Sequence, residues 1–342
     1  MGIGESGRRS SGPLGDRSAK ESDMKIIVSG SLAYDRIMDF PGYFSDHILP
    51  EKIHALSITF QVNGVQEKFG GTAGNIAYAL TQLGERPVIS ATIGKDYQRY
   101  FEWLEKNGIG TEGIRIIEEE WTAGAYITTD KADNQITGFN PGAMRHSSRL
   151  DFDALDPRDT LVIVSPGNLD DMVNYPRTCK ERGIDYIFDP GQSLPMWEAR
   201  DLIRSIEGAR ILIVNDYEQG LIMSKTGLNK RALLALPKAV ITTLGGEGSR
   251  IATPKGELGI PVITATEVKD PTGAGDSYRG GLICGLTHGK GIVQSAHMGS
   301  VCASFAVECY GTQEYRFSTE EFNRRLSEHE GQQWMAAADL LD

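Results

Sequence analysis

Short apolar runs that end in glycine or a polar turn alternate with stretches of helical periodicity along most of this chain, and this alternation restricts the fold more than any other feature. Residues 25–30, 88–93, 160–165, 185–188, 211–214 and 239–243 read as buried strands, with helices predicted at 72–83, 97–107, 169–182, 198–206 and 217–224. Strands and helices at this spacing build an α/β fold with a mostly parallel central sheet covered by helices on both faces. In such sheets the ligand sits beyond the carboxyl ends of the strands. Two period-2 segments interrupt the alternation: 53–67, with an alternating run from Leu56 to Val62, and a hairpin formed by 123–129 and 134–139 around residues 130–133. They predict a small β-sheet outside the main one, a lid over the cleft drawn from segments of about 38–67 and 121–140. Residues 262–268 read as a further strand closed by Pro271, followed by helices at 274–286, 292–307 and 319–326.

The size and composition fit one large domain, assigned to 24–330: 342 residues, 40% hydrophobic and 24% charged. Residues 1–23, rich in Gly, Ser and Arg without an apolar core, are expected to be a disordered extension, and 331–342 a tail. A formal net charge of -11 argues against nucleic acid or an anionic membrane as partner. No apolar run approaches the ~20 residues that span a bilayer. Cys179, Cys284, Cys302 and Cys309 lack metal-ligand spacing and read as reduced thiols of a cytoplasmic protein. No histidine pair suggests zinc.

The most informative motif is residues 270–281, Asp-Pro-Thr-Gly-Ala-Gly-Asp-Ser-Tyr-Arg-Gly-Gly. Gly273 and Gly275 permit a tight turn whose N–H groups converge at the start of a helix, where the macrodipole favours an anion. Asp276 in the first turn is either a capping acid or a carboxylate that takes a proton from a substrate hydroxyl while those N–H groups hold phosphoryl oxygens. No Gly-Lys-Ser/Thr follows, which disfavours a Walker-type nucleoside triphosphatase.

Other polar clusters fall at predicted strand ends. Asp35 follows the first strand, as a turn-forming residue or an acceptor for sugar hydroxyls. Gly70-Gly71-Thr72-Ala73-Gly74-Asn75 opens a helix, and the Asn75 amide suits vicinal hydroxyls. Asn215 and Glu218, three apart, fit a capping box and also oxygen ligation of Mg²⁺ through water. The glycine-rich loop at 242–248 suits nucleotide phosphates or ribose. The turn after the first strand lacks Gly-x-Gly-x-x-Gly, which disfavours a dinucleotide-binding oxidoreductase.

These motifs, in this order, resemble the ribokinase-like (PfkB-type) carbohydrate and nucleoside kinases over residues 24–326. A finer resemblance, to bacterial adenosine kinases, rests on Phe40-Pro41-Gly42, Leu49-Pro50-Glu51, residues 70–77, Phe139-Asn140-Pro141-Gly142-Ala143-Met144, residues 215–218 and Gly311-Thr312-Gln313-Glu314. The resemblance implies a ribokinase-like fold and ATP- and Mg²⁺-dependent phosphorylation of the adenosine 5′-hydroxyl, a purine-salvage reaction. Another nucleoside, or a sugar such as ribose or fructose, is the alternative acceptor. It implies Asp276 as base and Gly273, Ala274, Gly275 and Asp276 as N–H donors to the phosphoryl group. Asp35, Gly71 and Asn75 would bind ribose; Ser31, Thr59 and Gln192 would line the base pocket; Phe139 would stack on the base. Asn215 and Glu218 would serve metal and phosphate, and Thr243, Gly245 and Gly248 the nucleotide. A monovalent cation is a further candidate cofactor. Kinases similar to this chain carry a second base-stacking aromatic where this one has Ala125, and in a regular strand Tyr126 points to the opposite face. An unpaired lid edge would favour a homodimer through the lid.

Overall fold

The computed structural model describes residues 24–48, 54–55, 57–132 and 134–329. The expected extension at 1–23, the tail at 331–342, Leu49-Pro50-Glu51, Ile53, Leu56 and Asp133 lie outside the described residues. Nine strands form the main sheet: β1 (Lys25–Ser29), β4 (Val88–Gly94), β5 (Ile114–Ile117), β8 (Thr160–Val164), β9 (Asp185–Phe188), β10 (Ile211–Asn215), β11 (Val240–Thr243), β12 (Ser249–Thr253) and β13 (Gly256–Ile260). Their order is β13-β12-β11-β10-β9-β8-β1-β4-β5. From β11 to β5 the neighbours are parallel; β12 and β13 close one edge as an antiparallel hairpin.

The parallel strands bury both faces, and each feeds two cores by alternation. Ile26, Val28, Leu161, Ile163, Ile211 and Ile213 point to one face. There they meet α1 (Thr72–Gln82), α2 (Gln98–Lys106), α7 (Ala274–Thr287) and α8 (Ile292–Ala306). Ile27, Val162, Val164, Leu212 and Val214 point to the other. That face is covered by α3 (Leu169–Arg182), α4 (Ala199–Ile206), α5 (Asp216–Thr226) and α6 (Lys230–Leu234). The final helix, α9 (Thr319–Ser327), opens with a complete Ser318/Glu321 capping box. Close packing of α7 on α8 needs glycine: a Cβ on Gly281 would lie 2.5 Å from the Met298 carbonyl oxygen, and one on Gly299 2.7 Å from that of Tyr278. Cys179, Cys284 and Cys302 are buried and Cys309 partly so, all as free thiols. Among the described residues no helix is long and apolar enough to cross a membrane.

A separate four-stranded sheet forms the lid, in the order β3-β2-β6-β7: β2 (Ala33–Asp39), β3 (Val65–Gly70), β6 (Ala123–Thr129) and β7 (Gln135–Asn140). Three expectations are corrected. Asp35 is not in a turn at the end of β1 but inside β2, because the chain passes from Gly30 almost directly into the lid. The alternating run before Val62 forms no strand among its described residues; pairing begins at Val65, opposite Met38. Residues 262–268 are not a strand either, since β13 already occupies that sheet edge. Their backbone instead passes over the end of α8, where Lys269 N–H donates to the Val307 carbonyl at 2.8 Å and Thr266 N–H to Glu308 Oε1 at 2.7 Å. Pro271 therefore ends a crossing segment rather than a strand.

Candidate active site

Helix α7 begins at a glycine because its N-cap, Gly273, has φ of 78°, a left-handed conformation that side chains resist. Asp270 anchors the turn before it, accepting from Thr272 N–H at 2.9 Å and from Gly311 N–H at 3.1 Å. The Ala274 N–H, expected to face an anion, donates back to the Pro271 carbonyl at 3.2 Å. Among the described residues the N–H groups of Gly275 and Asp276 meet no protein acceptor, which leaves them free to donate to an anion at the positive end of the helix.

These groups line a cavity of about 430 Å³, shared by Thr72, Pro166, Asp189, Gly191, Gln192, Asn215, Asp216, Tyr217, Glu218, Thr243, Gly245, Gly273, Gly275, Asp276 and Arg279. The cavity lies at the carboxyl ends of β9, β10 and β11, where an open α/β sheet places its ligand. Burial pushes the Asp276 carboxyl up to about 6; Arg279 and the Asn75 hydrogen bond pull it down, while Asp189 and Glu218 push it further up. A carboxylate poised there is a usable base near neutral pH.

Asn75 has a different place from the hydroxyl-binding one expected. Its Nδ2 donates to Asp276 Oδ2 at 2.8 Å, and its Oδ1 accepts from Gln313 Nε2 at 3.0 Å. Gln313 also donates to the Tyr100 hydroxyl at 3.0 Å and accepts from Trp103 Nε1 at 2.8 Å. Three helices and the 311–314 turn thus hold the orientation of Asp276. Ser31 is buried, its hydroxyl accepting from Thr72 N–H at 3.1 Å, so it organises the start of α1. Gly71, with φ of 89°, caps that helix.

The lid presents Asp35, Ala125 and Phe139 in one cross-strand row, so their side chains share a face. Burial raises the Asp35 carboxyl to about 6. Its side chain takes no donor among the described residues, and Oδ2 lies 2.4 Å from where a Cβ on Gly70 would stand. Phe139 is 53% exposed, open to a stacking partner. Tyr126 points to the opposite face, where its hydroxyl accepts from Arg36 Nη1 at 3.1 Å. It does not replace the aromatic missing at Ala125.

On the other side of the cavity, Asn215 and Glu218 complete a capping box: Asn215 Oδ1 accepts from Glu218 N–H at 2.7 Å and Glu218 Oε2 from Asn215 N–H at 2.8 Å. The Asn215 oxygen is thereby engaged. Glu218 keeps one oxygen over, and Asp189, 2% exposed, has an Oδ1 with no donor. The free Glu218 oxygen fits Mg²⁺ held partly through water, and does not suit a soft metal. Thr243 and Gly245, expected to meet the nucleotide, and Gln192, expected in the base pocket, all line this one cavity, while Gly248 and Thr59 do not. Gly248 serves the sheet edge: a Cβ there would lie 2.2 Å from the Ile260 carbonyl oxygen. Thr59 is exposed.

Sequence reasoning missed Arg279 and Asp189. Arg279 Nε donates to Asp189 Oδ2 at 2.6 Å, with side chains only 8% and 2% exposed. Arg279 sits within the 270–281 motif, one helical turn after Asp276; that spacing was the available signal. Its partner, 90 residues earlier, could not be read from it.

Residues 33–319 match the pfkB family of carbohydrate kinases. The chain belongs to this family. It is 32% identical over 308 residues to a nucleoside kinase of Methanocaldococcus jannaschii, covering 89% of this chain and 97% of that one. Nucleoside kinase of Burkholderia thailandensis in complex with inosine superposes with a TM-score of 0.79 at 36% identity, over 90% of this chain and 98% of that one. Its complex with ADP-inosine matches with a TM-score of 0.77 at 37% identity, over 90% and 96%. Sugar kinases are similar at greater distance: ribokinase of Bacillus subtilis is 24% identical over 71% of this chain and 83% of its own. Membership of the pfkB family makes the chain a phosphotransferase acting on a hydroxyl group, and its fold ribokinase-like.

Proposed function

We propose that this chain transfers the γ-phosphoryl group of ATP to the 5′-hydroxyl of a purine nucleoside, with adenosine as the expected acceptor. The observation that carries the reading is the arrangement around Asp276: a carboxylate fixed by Asn75 beside unfilled N–H donors at a helix start, in a cavity bordered by Thr243, Gly245 and Glu218. Asp276 accepts the proton of the attacking hydroxyl. The N–H groups of Gly275 and Asp276 bind the oxygens on which charge builds. Asp35 accepts from the ribose hydroxyls, and Phe139 offers a face to the base. Glu218 would hold Mg²⁺ partly through water, and the metal when bound offsets charge on the ATP phosphates.

Similarity to nucleoside kinases at 32% and 36% identity favours a nucleoside over a sugar. The inosine bound by the Burkholderia thailandensis protein supports a second acceptor, because a pocket with one stacking aromatic and Ala125 opposite discriminates weakly between purines. The test is a panel of adenosine, inosine, guanosine, cytidine, ribose and fructose with ATP and Mg²⁺. The purine nucleosides are expected to give the largest kcat/KM. A higher value for ribose or fructose would overturn the nucleoside reading.

A further inference from the structure

We propose that Arg279 is itself a catalytic residue, contacting the phosphoryl group in flight, and that Asp189 is the positioning residue that aims it. This rests on the phosphotransfer reading of the cavity but not on the identity of the acceptor. Three observations carry it. First, the guanidinium is buried in the cavity wall and held by one bond, from Nε to Asp189 Oδ2 at 2.6 Å. Nη1 and Nη2 meet no protein acceptor among the described residues, although guanidinium has five N–H donors in a fixed fork. An Arg taken out of water at that cost, with most of its donors unused, is matched to something the cavity receives. Second, one of those free nitrogens lies against the glycine at the helix start: a Cβ on Gly275 would lie 2.9 Å from Arg279 Nη1. An anion on the Gly275 N–H therefore lies beside the fork. Third, Arg279 follows Asp276 by one helical turn, so a single rigid helix presents base, N–H donors and guanidinium to the same reacting centre.

During transfer the acceptor oxygen bonds to phosphorus and the bond from phosphorus to the leaving ADP oxygen breaks. The acceptor proton passes to Asp276. Arg279 exchanges no atom; it hydrogen-bonds the equatorial oxygens, where planar, two-pronged donors fit best. A lysine cannot donate to Asp189 through an Nε and also reach those oxygens with two further nitrogens.

A purely structural pair tying α7 to the end of β9 would show the same 2.6 Å contact. The experiment separates the two, using the full chain, ATP, Mg²⁺ and whichever acceptor the wild type turns over fastest. It therefore stands even if the nucleoside assignment fails. Arg279→Met leaves Asp189 as an unpaired buried charge, so it is measured together with the double variant Arg279→Met/Asp189→Asn, whose folding is checked by thermal melting. Affinity is measured for ADP alone and for ADP with aluminium fluoride, a mimic of the phosphoryl group in flight. In the folded double variant kcat is expected to fall about 10²–10³-fold, the usual effect of losing one such donor. ADP affinity should stay within about threefold, while the extra affinity conferred by aluminium fluoride disappears. Added guanidinium should restore part of the rate to the variants, and Arg279→Lys should recover less than about a tenth of it. A folded double variant with kcat within about tenfold of wild type, or with the aluminium fluoride gain intact, overturns the proposal.

Discussion

Replacing Asn75 with alanine removes the donor that holds Asp276 Oδ2 at 2.8 Å. That bond favours the carboxylate over the protonated acid, so its loss raises the Asp276 pKa. A hydrogen bond to an ionised group contributes about 1.5–3 kcal/mol. Since ~1.36 kcal/mol corresponds to one pKa unit, the shift is roughly one to two units. In the wild type burial has already lifted this group to about 6. Turnover needs the carboxylate, so activity is retained above the pKa and lost as pH falls through it. The acid limb of the kcat/KM profile, which reports the free enzyme, should therefore move from near 6 to between about 7 and 8, lowering kcat/KM at neutral pH roughly two- to tenfold, with recovery in alkaline buffer. Gln313 loses one acceptor but keeps the Tyr100 hydroxyl at 3.0 Å, which limits collateral damage. The assay is kcat/KM for the acceptor against pH for both proteins. A limb that stays in place while kcat/KM falls equally at every pH would refute this, because Asn75 would then affect something other than the basicity of Asp276.

The lid and the metal side give three further tests. Gly70→Ala puts a methyl 2.4 Å from Asp35 Oδ2; the carboxylate must shift, and the acceptor KM should rise about tenfold with kcat nearly unchanged. Ala125→Phe restores a ring on the Asp35–Phe139 row and should lower the adenosine KM severalfold, an aromatic contact being worth about 0.5–1.5 kcal/mol; no change would place the base elsewhere. Glu218→Gln keeps the oxygen that caps α5 but loses the charge; the Mg²⁺ concentration for half-maximal rate should rise, and an unchanged titration would remove Glu218 from the metal site.

Regularly patterned and locally determined features were legible in the sequence. Helix α3 and strand β9 form at the expected residues because their periodicity is unambiguous and their ends are marked, α3 by Asn168 as N-cap and Gly183 in the left-handed conformation. Strand β2 was not legible. Tyr34 and Arg36 share one face and Asp35 the other, so polar groups stand on both sides, one face meeting α2 and the other carrying the row with Ala125 and Phe139. Residues 262–268 have the composition of a strand, yet tertiary context overrides it because the sheet edge is filled. At the site, local motifs pointed to Asp276, Gly275 and Glu218, which line one cavity, since glycine turns and helix starts are written in neighbouring residues. The partners that set their chemistry come from afar in the chain: Asn75 to Asp276 across 201 residues and Asp189 to Arg279 across 90. The split of Asn75 between Asp276 and Gln313, and the return of the Ala274 N–H to Pro271, depend on packing that no spacing rule reports.

The central claim is that Asp276 takes the acceptor proton. Asp276→Asn keeps the shape of the side chain and its contact with Asn75 while removing the base, so kcat for the best acceptor is the direct measurement, with folding confirmed by thermal melting. A fall of about 10²–10⁴-fold in kcat with little change in acceptor KM is expected. A folded variant that turns over within a few-fold of wild type would contradict it.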